Sequence, residues 1–556
     1  MKKKGKLSRR GFLRASTKAA AGAIATLAGS SIFTGCVGGS EGLPADSSVS
    51  VIQAKAESDL EVNLVAAPGE HAVFPGAKTL VWKYEGKVVR GNSDSLQTIP
   101  GSYIGPTFRV TKGQRIRVNL TNQIDGETII HWHGLHLSEA MDAHPKYVIQ
   151  PGETYQYDFQ VLNRAGTYWY HPHPDGATGP QIYQGLAGFF LVSDDEEQQA
   201  GLPEADFDVP LVLQDRAVDQ NNQWIYDAGG MMGSMTGMLG DRILVNGQPN
   251  ALLPVAAQAY RLRFLNGSNS RIYKLGWEDG TPMTVIGTDG GLLEKPVNRP
   301  YLMLSPGERV EIWADFHTRP VGSTMRLISL PYASSMRGGG MMGGGMMGGM
   351  MGGSSTLANG GPFSILEVRV DRAASQPQKP LPEKLSSIVY HREIDAVNRN
   401  QPRTFALTMG GMRGMMGRGM MSGMRWTING RTFEMEEVAN DELMKLNTLE
   451  TWVYDNQSGG GMGMMGGMMQ MPHPMHIHGV QFQVIERQIA PAFDRAYQTV
   501  SEGFVDVGWK DTVLVMPGER VKLLVHFENF PGLFLHHCHN LEHEDAGMMR
   551  NFKVVA

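Results

Sequence analysis

The chain has 556 residues, more than one hydrophobic core sustains, and its ordinary 41% hydrophobic share argues for several soluble domains rather than a polytopic membrane protein. The formal net charge is −5, but residues 1–35 hold eight basic groups and no acid, so taking those eight charges away leaves a body of −13. So acidic a body does not suit nucleic acid as a partner and mildly favours cationic ones.

The first element is an export signal over residues 1–36. Lys2 to Lys6 form a basic stretch, Ser8-Arg9-Arg10-Gly11-Phe12-Leu13-Arg14 follows, and a mildly apolar run extends from Ala19 to Phe33. Two adjacent arginines before a weakly hydrophobic segment read as a twin-arginine signal. The run is too short, and too rich in Ala and Gly, for a membrane span. Thr34-Gly35-Cys36 reads as a lipoprotein processing site with Cys36 as lipid acceptor; the plainer reading is that Cys36 leaves with the signal. The expectation is a monomer in the periplasm or at the cell surface, touching membrane only through that lipid. Residues 37–59 form a linker.

Three β-rich domains follow, at 60–196, 206–371 and 385–556. The division rests on a repeat. Pro151-Gly-Glu-Thr-Tyr-Gln-Tyr-Asp-Phe159 is echoed by Pro306-Gly-Glu-Arg-Val-Glu-Ile-Trp-Ala-Asp-Phe316 and by Pro517-Gly-Glu-Arg-Val-Lys-Leu-Leu-Val-His-Phe527. Each is a Pro-Gly turn leading into a β-rich run. His171-Pro-His173 and His537-Cys538-His539 stand at the same distance after the first and third turns, and Arg326 stands there in the middle copy. The middle domain therefore lacks these ligands. Few helical periods occur, so the fold class is all-β, three β-sandwiches. Gly/Met-rich segments at 231–238, 336–351, 409–424 and 462–471 interrupt the plan and hold 24 of the 35 methionines. Their glycines disfavour helix, and they read as long loops.

The chemistry lies in four short clusters: His131-Trp-His133, His171-Pro-His173, His473-Pro-Met-His476-Ile-His478 and His537-Cys538-His539, the last followed by His543 and Met548. Side chains alternate along a strand. On such a strand Cys538 points one way while His537 and His539 point the other, joining two metal groups through a few covalent bonds. On the thiolate side, His473, His543 and Met548 complete a two-imidazole, thiolate and thioether set that suits copper. On the other side, His131, His133, His171, His173, His476, His478, His537 and His539 are eight imidazoles, too many for one ion and suited to three coppers. Half come from the first domain and half from the third, so the group sits at their interface. Structural zinc closes with four ligands, and this set is too large and too rich in histidine for it. Cys538 has no disulfide partner in the mature chain, which in an oxidising compartment favours a ligand role.

These four clusters resemble the copper signatures of three-domain multicopper oxidases, the family of laccases and bacterial cuprous oxidases, over the chain from about residue 60 to its end. The resemblance implies cupredoxin-like Greek-key sandwiches, here with Gly/Met-rich insertions, and four coppers per chain. By it, Cys538, His473, His543 and axial Met548 bind type 1 copper, and His131 and His476 bind type 2. His133, His171, His173, His478, His537 and His539 bind the type 3 pair. It further implies oxidation of a reductant at type 1 and reduction of O2 to water at the trinuclear group. Asp142 and Glu544 match the family's acidic residues near that group, where carboxylates relay protons or hold water; the blander alternative is a loop acid and a solvated charge. Around Asp142 the chain departs from the common pattern, with Ala143-His144-Pro145 where Gly-Gly-Pro is frequent. His136, His144, His526 and His536 are read as structural or surface residues.

Thioether sulfur is a soft ligand for Cu(I), and segment 462–471 runs directly into His473. Met471 matches a methionine that cuprous oxidases use for substrate copper, while Met469 stands where they carry aspartate, so that substrate site is half matched. The leading reading is an exported cuprous oxidase conferring copper tolerance, with phenols as a side activity. The alternatives are a laccase-like oxidase of phenols, aromatic amines or Mn(II), with the Met loops as lids or low-complexity spacers, and a non-enzymatic copper-binding or storage protein.

Overall fold

A computed structural model describes residues 57–229, 233, 235–333, 357, 359–375, 377, 380–411, 424–457 and 470–556. The twin-arginine segment, Cys36, most of the 37–59 linker, segment 336–351, residues 231, 232 and 234, residues 412–423 and residues 462–469, Met469 among them, lie outside the described residues. Among the described residues no helix is long and apolar enough to cross a membrane.

Six sheets pair into three sandwiches, each with its own core. In the first, Leu60–His71 runs parallel to Arg115–Asn122, which pairs antiparallel with Thr154–Gln160. The second repeats this with Asp208–Arg216, Ala259–Asn266 and Arg309–Asp315. The third does so with Arg403–Gly411, Thr448–Asp455 and Glu519–Phe527. The strand after each Pro-Gly turn therefore takes the same place in all three. Gly152, Gly307 and Gly518 have φ of 89°, 83° and 74°, the left-handed conformation that a turn with Pro then Gly demands.

Val62, Phe108, Trp132, Tyr157 and Phe190 form the first core. Leu262, Phe264, Leu275, Ile312, Leu327 and Val368 form the second. Phe405, Trp452, Phe482, Leu523, Phe534 and Phe552 form the third, joined by Cys538 and Met548. Strand Arg115–Asn122 alternates half-buried and buried residues, the mark of one solvated face. The strands carrying the histidine clusters differ. Ile130–His133, Gly166–Pro172 and His473–Ile477 are buried throughout, and Gly532–Cys538 after its first residue. One face of each meets its own core and the other meets the opposing sandwich.

Candidate metal centres

The clusters meet because their strands are neighbours in register. Ile130–His133 pairs antiparallel with Gly166–Pro172, setting His131 opposite His171. His473–Ile477 pairs the same way with Gly532–Cys538, setting His476 opposite His537 and Met475 opposite Cys538. Directly opposed residues share a face. Trp132 enters the first core and Met475 and Cys538 the third, so their histidine neighbours turn away from the cores toward one another.

The eight imidazoles line one buried chamber between the first and third sandwiches. His131 Nε2 lies 3.2 Å from His476 Nε2. His537 Nε2 lies 3.3 Å from His173 Nε2 and 3.0 Å from His478 Nε2. The rings of His131 and His478, and of His133 and His476, stack across the interface at 3.7 Å. Three imidazole triads have ring nitrogens within 4.8 Å of one another: His131 with His133 and His171, His131 with His476 and His478, and His173 with His478 and His537.

Groups outside the chamber fix which nitrogen faces in. The Nδ1–H of His131 donates to the Asp142 carbonyl at 2.9 Å, that of His171 to the Pro172 carbonyl at 2.9 Å, and that of His476 to the Asp511 carbonyl at 2.8 Å. His478 Nδ1 donates to Asp142 Oδ2 at 2.8 Å, and His537 Nδ1 to the Cys538 carbonyl at 3.2 Å. These five therefore present Nε2 inward. His133 is reversed: its Nε2 lies 3.0 Å from Asp511 Oδ1 and its Nδ1 faces His171 Nε2 at 3.3 Å.

Burial, with neighbouring imidazoles second, pushes His131, His133, His171, His476, His478 and His539 well below the ordinary histidine range. Burial brings His173 down to about 4. Neutral rings whose Nδ1–H is already spent turn lone pairs toward lone pairs, and no hydrogen lies between them. Both nitrogens of His539 and Nδ1 of His173 lack a hydrogen-bond partner among the described residues. Buried polar atoms left so are costly. Bound cations offset that cost, so the donor set fits a cluster of metal ions.

Behind the chamber, within the third sandwich, lies the thiolate pocket. Cys538 Sγ is 3.5 Å from His473 Nδ1 and 3.6 Å from His543 Nδ1. Met548 is fully buried in the same core, and its carbonyl accepts the Cys538 N–H at 3.0 Å. Without a metal, burial pushes the Cys538 thiol up and brings His543 down to about 4; a bound cation draws the thiol to thiolate. The Trp426 ring lies 4.9 Å from His473 and 4.3 Å from His543.

The helix Leu541–Asp545 distributes four consecutive side chains. Glu542 accepts from Asn269 Nδ2 at 2.8 Å and from Met238 N at 2.9 Å, in the middle sandwich. His543 faces Cys538. Glu544 Oε2 lies 3.1 Å from His537 Nδ1, and Oε1 lies 3.5 Å from His173 Nε2. Asp545 accepts from Thr178 N at 3.0 Å and Gly179 N at 2.8 Å, in the first sandwich. Asp142 and Glu544 are both 2% exposed, so neither is a solvated surface charge. Burial pushes Asp142 well up. It pushes Glu544 up too, but the facing His537 and His173 outweigh it and hold that carboxyl low.

The histidines read as structural or surface are buried or half-buried. His144 Nε2 contacts Asn551 Oδ1 at 2.8 Å, and His536 Nδ1 contacts Tyr454 Oη at 3.2 Å. Met471 is half-buried against the third core. Sequence reasoning missed Asp511 and Thr512, whose Oγ1 lies 3.2 Å from His133 Nε2; a lone acid beside a threonine carries no motif. It missed Trp426, and it missed Met235, whose carbonyl accepts His543 Nε2–H at 2.8 Å.

Comparison with known proteins agrees with this arrangement. Family profiles described as multicopper oxidase match residues 82–197 and 398–556. The chain is 29% identical over 461 residues to multicopper oxidase mco of Staphylococcus haemolyticus, covering 82% of this chain and 83% of that one. It is 30% identical over 475 residues to bilirubin oxidase of Albifimbria verrucaria, covering 84% and 73%. It is 28% identical over 506 residues to cell division protein FtsP of Photorhabdus laumondii, covering 88% and 91%. Among solved structures, McoA multicopper oxidase of Aquifex aeolicus superposes with a TM-score of 0.69 at 31% identity, covering 90% and 97%. Laccase of Pediococcus acidilactici does so with 0.68 at 30% identity, covering 89% and 90%. A multicopper oxidase of Campylobacter jejuni described as a metallo-oxidase gives 0.66 at 26% identity, covering 89% and 91%. The chain belongs to the multicopper oxidase family and is a copper-dependent oxidoreductase of cupredoxin-like β-sandwiches.

Proposed function

We propose that the protein oxidises Cu(I) at a type 1 copper and reduces O2 to water at a trinuclear group, conferring copper tolerance. In this reading His473, Cys538, His543 and Met548 hold the type 1 ion and His131 and His476 the type 2 ion. His133, His171, His173, His478, His537 and His539 hold the type 3 pair, giving four coppers per chain. Copper so bound supplies one-electron oxidation in the thiolate pocket and dioxygen reduction in the chamber. The chain supplies the rest. The Cys538 backbone leads directly to His537 and His539, a short covalent path between the two sites. Asp142 orients His478, Glu544 faces His537 and His173, and each offers an oxygen without a hydrogen-bond partner among the described residues, Asp142 Oδ1 and Glu544 Oε1, to water beside the chamber. The organisation into domains at 60–196, 206–371 and 385–556, export by the twin-arginine route to the periplasm or cell surface, and a monomeric state belong to the same proposal.

One observation carries the choice of Cu(I): three Gly/Met-rich segments attach at the thiolate pocket. Segment 231–238 reaches His543 through the Met235 carbonyl. Segment 409–424 runs into strand Met424–Ile428, whose Trp426 covers His473 and His543. Segment 462–471 ends two residues before His473. These segments are rich in methionine, whose soft thioether suits capture of Cu(I), and the Campylobacter jejuni relative's description as a metallo-oxidase supports the reading.

Deleting residues 462–471 tests it. Cu(I) turnover should fall several-fold while turnover of a phenol is kept or rises; Cu(I) turnover left intact sinks the capture reading. The relatives named laccase and bilirubin oxidase favour a laccase-like second reading, which predicts that phenol turnover exceeds Cu(I) turnover in the intact enzyme. The non-enzymatic reading requires copper bound without oxygen consumption, and it expects missing ligands where all twelve residues are present.

A further inference from the structure

The middle sandwich gives no imidazole to either site, yet one of its turns packs against the chamber. The turn is Pro306-Gly307-Glu308-Arg309, the middle member of the threefold repeat. A Cβ on Gly307 would come within 2.8 Å of the His539 ring, so only glycine lets the backbone approach so closely. Glu308 pairs with Lys510 at 3.1 Å. Arg309 is 1% exposed, and all five of its guanidinium hydrogens are used. Nε donates to the Thr167 carbonyl at 2.9 Å. Nη1 donates to the Gly307 carbonyl at 3.0 Å and to Asp511 Oδ1 at 2.8 Å. Nη2 donates to the Asp289 carbonyl at 2.9 Å and to Asp511 Oδ2 at 2.6 Å. One side chain thus ties together the first, middle and third sandwiches.

The repeat supplies its own comparison. Arg520 holds the same place in the third copy, but its side chain is 38% exposed and pairs with Asp455 at 3.5 Å. Thr154 holds it in the first copy and is exposed. Burial and full satisfaction are peculiar to Arg309, and its fork ends on the acid that serves the chamber. Asp511 contacts His133 Nε2 through Oδ1 at 3.0 Å and accepts from His476 Nδ1 through its carbonyl at 2.8 Å. His133 is the imidazole whose orientation is reversed.

We propose that Arg309 is the positioning residue of the trinuclear chamber: its fork clamps Asp511, and Asp511 holds His133 with Nδ1 inward. The inference rests on the copper reading above. A guanidinium suits the task where an ammonium does not, because two parallel hydrogen bonds fix the carboxylate plane. A buried Asp511 without that partner is an uncompensated charge, free to turn.

The test uses full-length, copper-loaded protein. Arg309→Lys keeps the charge and loses the fork, Asp511→Asn keeps the shape and loses the charge, and Arg520→Gln is the control. In both Arg309→Lys and Asp511→Asn the visible Cu(II)–thiolate band should persist, while oxygen turnover falls about 10- to 100-fold. Copper EPR should gain signal per chain as the type 3 pair loses its coupling, and Arg520→Gln should match the wild type. Native EPR and turnover in both variants would overturn the proposal, as would equal loss of the thiolate band and the trinuclear signals, which marks general damage. If Arg309→Lys fails to fold, Asp511→Asn decides alone by the same two criteria. Wild-type protein holding fewer than four coppers per chain would instead sink the copper reading itself.

Discussion

The two metal sites share a strand but are built on opposite plans. The thiolate pocket is assembled within one sandwich: His473, Cys538, His543 and Met548 all belong to the third, with Cys538 and Met548 inside its apolar core. Folding that core makes the pocket. The chamber takes four imidazoles from each of two sandwiches and is ringed by Asp142, Glu544 and Asp511. No single core makes it; docking does, through polar contacts such as Asp545 on the amides of Thr178 and Gly179 and Glu542 on Asn269. In the proposed reading electron uptake is thus tied to local packing and oxygen chemistry to assembly, and damage to one site should spare the other.

The largest expected effect breaks the thiolate side. Cys538→Ser removes the one sulfur anion and should abolish both the visible band and reductant oxidation. Copper analysis should still find the three chamber ions, because His537 and His539 face away from the change. Loss of all four coppers would show that the two sites are not independent. The next effect breaks the other side. Asp142→Asn and Glu544→Gln leave the thiolate pocket untouched and loosen His478, His537 and His173. Oxygen reduction should fall about 10- to 100-fold with the visible band unchanged. Stopped-flow reduction of the copper proposed for the thiolate pocket should keep its wild-type rate while its reoxidation slows.

What the sequence made legible follows the same division. The histidine and cysteine ligand candidates were readable because alternation along a strand and repetition between domains are both written locally: His171 and His537 fall at equal distances after Pro151 and Pro517. The three-sandwich plan was readable for the same reason, from three Pro-Gly turns. What surrounds the sites was not. Arg309 and Arg520 sit in the same Gly-Glu-Arg turn, and only packing against the chamber makes one a clamp and the other a surface residue. Asp511 acquires its partners from two other sandwiches. Trp426 and Met235 reach His543 from places some 120 and 310 residues away in the chain, a juxtaposition that no local spacing encodes. Asp142 was found through a resemblance, and its pairing with His478 is an interface contact invisible to periodicity.

The smallest effect sharpens the comparison by weakening docking without touching either site. Asp208 opens the strand Asp208–Arg216 and is 7% exposed. Its carboxylate accepts from Arg263 at 2.5 and 3.1 Å, within the middle sandwich, and from Arg109 at 3.0 Å, in the first. Burial pushes the group up, but the guanidiniums of Arg263 and Arg261 outweigh it and bring it to about 2 from an ordinary 3.8. A depressed carboxylate stabilises the fold fully above its unfolded value and gives that stability up as pH falls toward its folded one. The contribution is about 2 kcal/mol at neutral pH. Copper-free Asp208→Asn protein should therefore melt lower than the wild type at neutral pH, and the gap should narrow from about pH 4 to about pH 2 as the wild-type carboxylate takes its proton. Copper-free protein is the right sample, because acid also strips metal from imidazoles. A melting gap that stays constant across that window would mean that Asp208 acts through shape and hydrogen bonding rather than charge, and that the first and middle sandwiches dock without it.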